Sequence, residues 1–154
     1  MQSFLLPRQV NNDYRGHPFA LWFFIALTAI TIVRSLIHIL RADGGAQSIA
    51  TIPLDTYPPA AAGAVITIFA MWGVSQLLVG LFYLLILVRY RALIPLMYVS
   101  VFLEYLGRML VGIWKPLTTL ATPPGSRMNG VMIFLSLAML LLCWRRAHET
   151  TESN

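Results

Sequence analysis

Apolar positions along the chain gather into four long runs, about Phe19 to Leu40, Gly63 to Val88, Leu93 to Trp114 and Met128 to Trp144. Each approaches or exceeds the ~20 residues that cross ~30 Å of hydrocarbon at a rise of ~1.5 Å per residue. The runs are too long for strands and show no alternation of period two. Lipid offers no water to backbone N–H and C=O groups, so a spanning segment of this kind must be helical. The pattern therefore predicts an all-α fold, an integral membrane four-helix bundle over residues 18–146 with a long first outer loop. The fourth run is the shortest and can begin as early as Pro124.

The segments between the runs carry the turn chemistry. The longest link, about Arg41 to Ala62, contains Asp43-Gly44-Gly45, a helix stop and turn. It continues through Ser48 to Leu54, where Ile49, Ile52 and Leu54 make the segment apolar enough to fold over the mouth of the bundle. Arg89, Tyr90, Arg91 and Ala92 form a very tight link, which predicts an antiparallel hairpin of the second and third helices. The last link, Lys115 to Arg127, holds Pro116, Pro123, Pro124 and Gly125, all helix breakers. Residues 1–17 form a polar N-terminal segment, and the run after them is too long for a typical signal-peptide core, so it reads as an uncleaved first helix. Residues 147–154 form a polar tail, expected to be disordered.

Composition strengthens the membrane reading. Hydrophobic residues make up 58% of the 154 and charged residues 11%, against about 25% charged in soluble domains. A small soluble domain could not cover its surface with so few polar residues. The net charge of +5 resides mostly in basic residues beside the apolar runs. No basic patch is interleaved with exposed aromatics, so nucleic acid is not an expected partner. Counting Lys and Arg places Arg8, Arg15, Arg89, Arg91, Arg145 and Arg146 on one side and Arg41, Lys115 and Arg127 on the other. The positive-inside rule then puts both termini in the cytoplasm, in what is expected to be a bacterial inner membrane. Trp22 and Trp144 fall at the inner interface and Trp114 at the outer one, while Trp72 lies deeper. The one cysteine, Cys143, allows neither an intrachain disulfide nor a CxxC redox pair.

Polar groups inside the runs are the candidate chemistry. The first helix has Arg34 and His38, the second Ser75 and Gln76, the third Glu104 and Arg108. A central charge costs at least ~2.5–3.5 kcal/mol on insertion scales, so these groups should face the bundle and find partners. Arg34 and Arg108 each sit six residues from the outer helix end, ~9 Å deep, and Glu104 and Gln76 land near the midplane. Glu104 and Arg108 are i,i+4, as are Arg34 and His38. Ser100 extends the Glu104–Arg108 stripe, and Thr28, Thr31, Ser35 and His38 make a stripe along the first helix. Gly73 and Gly80 permit close helix contact, and Gly107 and Gly112 are candidates for the same role. The functional reading is a ligand-binding pocket of Arg34, His38, Gln76, Glu104 and Arg108 in the outer half, positive overall and suited to an anionic or carbonyl-bearing ligand. The competing reading is an ion-pair lock with snorkelling arginines. Neither a haem held by two intramembrane histidines nor a metal site is expected, since the ligands are too few. Asp43 and Asp55 read as turn residues.

The glycine-bearing second helix "WGVSQLLVGLFYLLIL", the basic turn "RYR" and the third helix "EYLGRMLVG" resemble the DoxX-like superfamily of small four-helix bacterial membrane proteins. The likeness covers about residues 18 to 145. It implies the four-helix fold, and, through members linked to quinone-dependent sulfur oxidation, a quinone as one ligand class. The cysteines of sulfur redox chemistry are absent, and the loop "RADGGAQSIATIPLD" departs from the pattern. Three functions compete on this reading. One is an accessory subunit that binds a quinone or lipid, with Arg34 and Arg108 donating to its oxygens. Another is a redox or proton-transfer enzyme with Glu104 or His38 as acid/base. The third is a structural or assembly subunit of a membrane complex or homo-oligomer.

Overall fold

The computed structural model describes residues 5–7 and 9–152, with side chains through residue 146. Arg8, one of the basic residues counted for the inner side, lies outside the described residues. The chain forms four helices, α1 (Pro18–Leu40), α2 (Pro59–Arg89), α3 (Ile94–Trp114) and α4 (Pro124–Glu152), with single 3-10 turns at Leu54–Thr56 and Arg91–Leu93. Among the described residues there is no strand. All four helices are long and apolar enough to cross a bilayer, and the protein is an integral membrane four-helix bundle. Its many exposed Leu, Ile, Val and Phe side chains, Phe82 and Phe134 among them, are the surface that lipid covers.

Proline sets the helix starts. Pro18, Pro59 and Pro95 occupy the first or second helical position, where the missing N–H costs nothing and the fixed φ is already helical. Pro59 with Ala60, Ala61 and Ala62 carries α2 four residues beyond the expected start at Gly63. The last helix exceeds its expected span at both ends, beginning at Pro124 and running to Glu152. The tail expected to be disordered is thus helical over 147–152, a stretch whose Ala and Glu favour helix.

Helix pairing follows the glycines. A Cβ on Gly73 would lie 2.9 Å from His38 Cβ and 3.1 Å from the Ser35 carbonyl, and one on Gly80 would lie 2.8 Å from Ile32 Cγ1. These two glycines let α2 lie against α1 along its length. The α1 stripe faces this seam: Thr28, Thr31, Ser35 and His38 are all buried. The hydroxyls of Thr28, Thr31 and Ser35 donate to the carbonyls of Phe24, Leu27 and Thr31, each one turn earlier. That stripe is a self-satisfied packing seam. Gly107 and Gly112 have open space where a Cβ would go, so they do not mediate helix contact. The bundle is two pairs, α1 with α2 and α3 with α4. The short link does not make α2 and α3 a closely packed hairpin, because the glycine face of α2 is already taken by α1.

On the side that holds the chain termini, the two pairs meet through an apolar core. Phe24, Tyr83 and Tyr98 interlock there, with ring centroids 5.2 Å apart for Phe24–Tyr83 and 5.7 Å for Phe24–Tyr98. The Tyr98 hydroxyl donates to the Ala20 carbonyl. Tyr14, from the N-terminal segment, packs against this core and lies 3.2 Å from Cys143 Sγ.

The opposite side is closed by the long loop. Ala46, Ile52 and Leu54 are buried against Val65, Ile66 and Phe69 of α2, so the loop lies on the bundle as its apolar residues predict. Asp43 accepts from the backbone N–H groups of Gly45 (2.9 Å) and Ser48 (2.7 Å). Gly44 and Gly45 take φ of +59° and +75°, which only glycine adopts without cost. Thr51 holds φ of +56°, unusual for a β-branched residue. It is held there by the second loop: its Oγ1 donates to the Ala121 carbonyl (2.7 Å) and its carbonyl accepts from Leu120 N–H (2.9 Å).

Candidate functional site

Each helix has an interior face, and the polar candidates continue those faces on the long-loop side. Tyr98, Val101 and Tyr105 are buried on α3, and the next residue of that stripe is Arg108. Gly73, Gln76, Gly80 and Tyr83 are buried on α2, with Trp72 one turn before Gln76. Arg34 stands on α1 beside the buried Ser35 and one turn before His38. The interior is thus apolar and aromatic near the termini and polar near the long loop.

Trp72 joins the polar groups. The guanidinium of Arg34 sits over its ring at 5.6 Å from the centroid, and that of Arg108 at 5.1 Å. Arg108 also stacks on Tyr105 at 5.2 Å. Cations over an indole face gain electrostatic stabilisation from the ring quadrupole, ~2 kcal/mol or more where water is excluded. The hydrogen bonds divide the cluster in two. Arg34 donates to Gln76 Oε1 at 3.0 Å, across the α1–α2 seam. Arg108 donates to Glu104 Oε1 at 3.3 Å within α3. Glu104 therefore pairs with Arg108, one of the two partners its position allows, and Arg34 has only a neutral amide.

His38 departs from its expected role as an open pocket wall. Its Nδ1 lies 2.7 Å from the Gly44 carbonyl, which fixes Nδ1–H as the donor. Its ring packs on Trp72 (4.8 Å) and Phe69 (5.8 Å). The side chain ties the long loop to the cluster and forms its roof. Ser75 and Ser100 lie outside the cluster; both are exposed and donate to their own helices, to Met71 and Leu96.

Two further residues belong to this picture, Trp72, marked in the sequence only by its depth, and Asn129. Trp72 shares a face with Gln76 at i,i+4, a spacing that could have flagged it. Asn129 lies on the α4 face that carries the buried Met132, Ser136, Met139 and Cys143, at spacings of three, four, three and four. Among the described residues, the buried side-chain polar atoms without a hydrogen-bond partner are Arg34 Nε and Asn129 Oδ1. Such atoms are uncommon in folded proteins and each demands an explanation.

The chemistry available is recognition of oxygen. Two guanidiniums offer a surplus of donors in a fixed fork geometry, and Glu104 neutralises one of them, leaving one positive charge unmatched inside the spans. Arg108 and Glu104 each keep about a quarter of the side chain exposed, 23% and 24%. Among the described residues, no three His, Cys, Asp or Glu side chains come together as a metal would need. Comparison of the chain with protein-family models, curated proteins and solved structures finds no match.

Proposed function

We propose that this protein binds a lipid-soluble ligand, a quinone or a lipid, in the cluster of Arg34, Gln76, Glu104 and Arg108 roofed by His38, and that it serves as an accessory subunit in a bacterial inner membrane. The observation that carries this reading is the unmatched guanidinium of Arg34. It sits within a spanning helix, has the Trp72 face and one hydrogen bond to the neutral Gln76 amide but no anion bonded to it among the described residues, and keeps its Nε buried without a hydrogen-bond partner. A cluster evolved only as an ion-pair lock would match its charges. An oxygen-bearing ligand would supply the acceptors that Arg34 lacks. The enzyme reading has less support, since His38 Nδ1 and Glu104 are both engaged by local partners. The excess of basic residues on the side of the termini supports a cytoplasmic location for both, and the DoxX-like resemblance is consistent with the helix number.

Native mass spectrometry of the full chain in mild detergent tests the reading. The wild type should carry a reproducible added mass. The neutral variant combining Arg34→Met, Glu104→Gln and Arg108→Met should stay folded and lose that mass. A wild type without added mass, or a neutral variant that keeps it, would overturn the proposal.

A further inference from the structure

Charge and the second unpartnered atom narrow the ligand class, granted that the cluster binds a lipid-soluble molecule. A quinone is neutral and offers only acceptors; it would leave the surplus positive charge in place. One negative charge would cancel it. Asn129 Oδ1 asks for something different, a hydrogen-bond donor.

Register places Asn129 in the same layer as the arginines. Tyr14 Oη contacts both the His17 carbonyl and Cys143 Sγ, so Cys143 is level with the start of α1. Asn129 precedes Cys143 by fourteen residues along α4, or ~21 Å. Arg34 follows Pro18 by sixteen residues along α1, or ~24 Å. The two levels agree within one helical turn, and both residues lie on or beside the interior face of their helices. The donor surplus and the orphan acceptor therefore lie at one depth of the bundle, each on or beside the interior face of its helix.

We infer that the ligand is a monoanionic phospholipid whose head also carries a hydroxyl, as in a glycerol phosphodiester. Arg34 and Arg108 hold the phosphate oxygens beside Trp72, and Asn129 accepts from the head-group hydroxyl. The lipid reaches the site from the bilayer beside α3, on which Arg108 and Glu104 remain partly exposed, where α3 packs mainly on α4 and little on α2.

The test uses the delipidated full chain in detergent with four probes, read by native mass spectrometry. The probes are phosphatidylglycerol, phosphatidylmethanol with the same charge and no hydroxyl, zwitterionic phosphatidylcholine, and a neutral quinone. Phosphatidylglycerol is expected to bind best, and phosphatidylmethanol about tenfold more weakly, the cost of one hydrogen bond left unmade at a buried acceptor. Asn129→Leu should erase that gap without lowering the melting temperature, because it removes an unpartnered buried acceptor. Equal binding of the two anionic lipids by the wild type overturns the inference, and needs no variant. Preference for the quinone or phosphatidylcholine also overturns it, while leaving the ligand-binding reading intact. Retention of none of the four, with no other mass on the protein as purified, would bring down that reading as well.

Discussion

Arg34 is bonded to Gln76 across 3.0 Å, so the arginine of α1 answers to a neutral amide on α2 while the carboxylate of Glu104 serves Arg108. The amide is the one hydrogen-bonding partner the guanidinium has across the seam. Gln76→Leu should therefore destabilise the protein by roughly 1.5–3 kcal/mol, the scale of a lost hydrogen bond to a charged group. Thermal melting in detergent measures this. Adding Arg34→Met should recover most of the loss, because no buried cation is then left bare; no recovery would mean that Gln76 acts through packing alone.

Four glycines give a contrast inside one protein. Gly73→Ala should cost about 1–3 kcal/mol, since the new methyl meets His38 Cβ and the Ser35 carbonyl, which cannot rotate away. Gly80→Ala meets the side chain of Ile32, which can shift, so the cost should be smaller. Gly107→Ala and Gly112→Ala meet open space and should be neutral or slightly stabilising through helix propensity. Melting temperatures should rise from Gly73→Ala through Gly80→Ala to Gly107→Ala and Gly112→Ala.

The difference between these glycines was not legible in the sequence. The long apolar runs gave away the helices and the proline positions gave away their starts, because both are local signals. Which helix face meets which neighbour is decided by packing across the bundle. The tight Arg89–Ala92 link predicts an antiparallel α2–α3 hairpin, and the two helices run that way; that they pack loosely, because Gly73 and Gly80 commit that face of α2 to α1, is not written in the link. Arg34, Gln76, Glu104 and Arg108 could be assigned to one layer by depth alone. Trp72 stands out in the sequence only by its depth, because an apolar aromatic in an apolar run carries no mark of a partner; its role appears only when two guanidiniums are seen over its ring. Asn129 escaped because the fourth run was taken to start beside it.

The long loop should respond to acid through Asp43. Burial alone would raise its carboxyl, but the bonds from Ser48 and Gly45 and the nearby Arg41 hold it at about 2, below the ordinary 3.8. A folded value below the unfolded one means that this stabilisation is complete above about pH 4 and is lost as pH falls toward 2. Protection of the Gly45 and Ser48 amides against hydrogen exchange, relative to the intrinsic rate at each pH, should fall over that window. In Asp43→Asn the same amides should exchange faster at neutral pH and show no such step.

Topology is checked with single cysteines in a Cys143→Ala background. A cysteine at 117 or 120, in the second loop of the long-loop side, should react with an impermeant thiol reagent in intact cells. A cysteine at 90 should react only after permeabilisation. The reverse pattern would place the termini outside and contradict the basic-residue count.

If the unmatched charge of Arg34 exists to hold a ligand, Gln76→Glu should displace that ligand. The change puts a carboxylate where the amide oxygen already sits, 3.0 Å from the guanidinium, and supplies from the protein the negative charge that the ligand is proposed to bring. Native mass spectrometry and thermal melting of this variant should be compared with the wild type. The wild type should carry a bound lipid mass, and the Gln76→Glu protein should carry none and melt higher once both are delipidated. A Gln76→Glu protein that retains the same mass, or a wild type that never carries one, would contradict this role of Arg34.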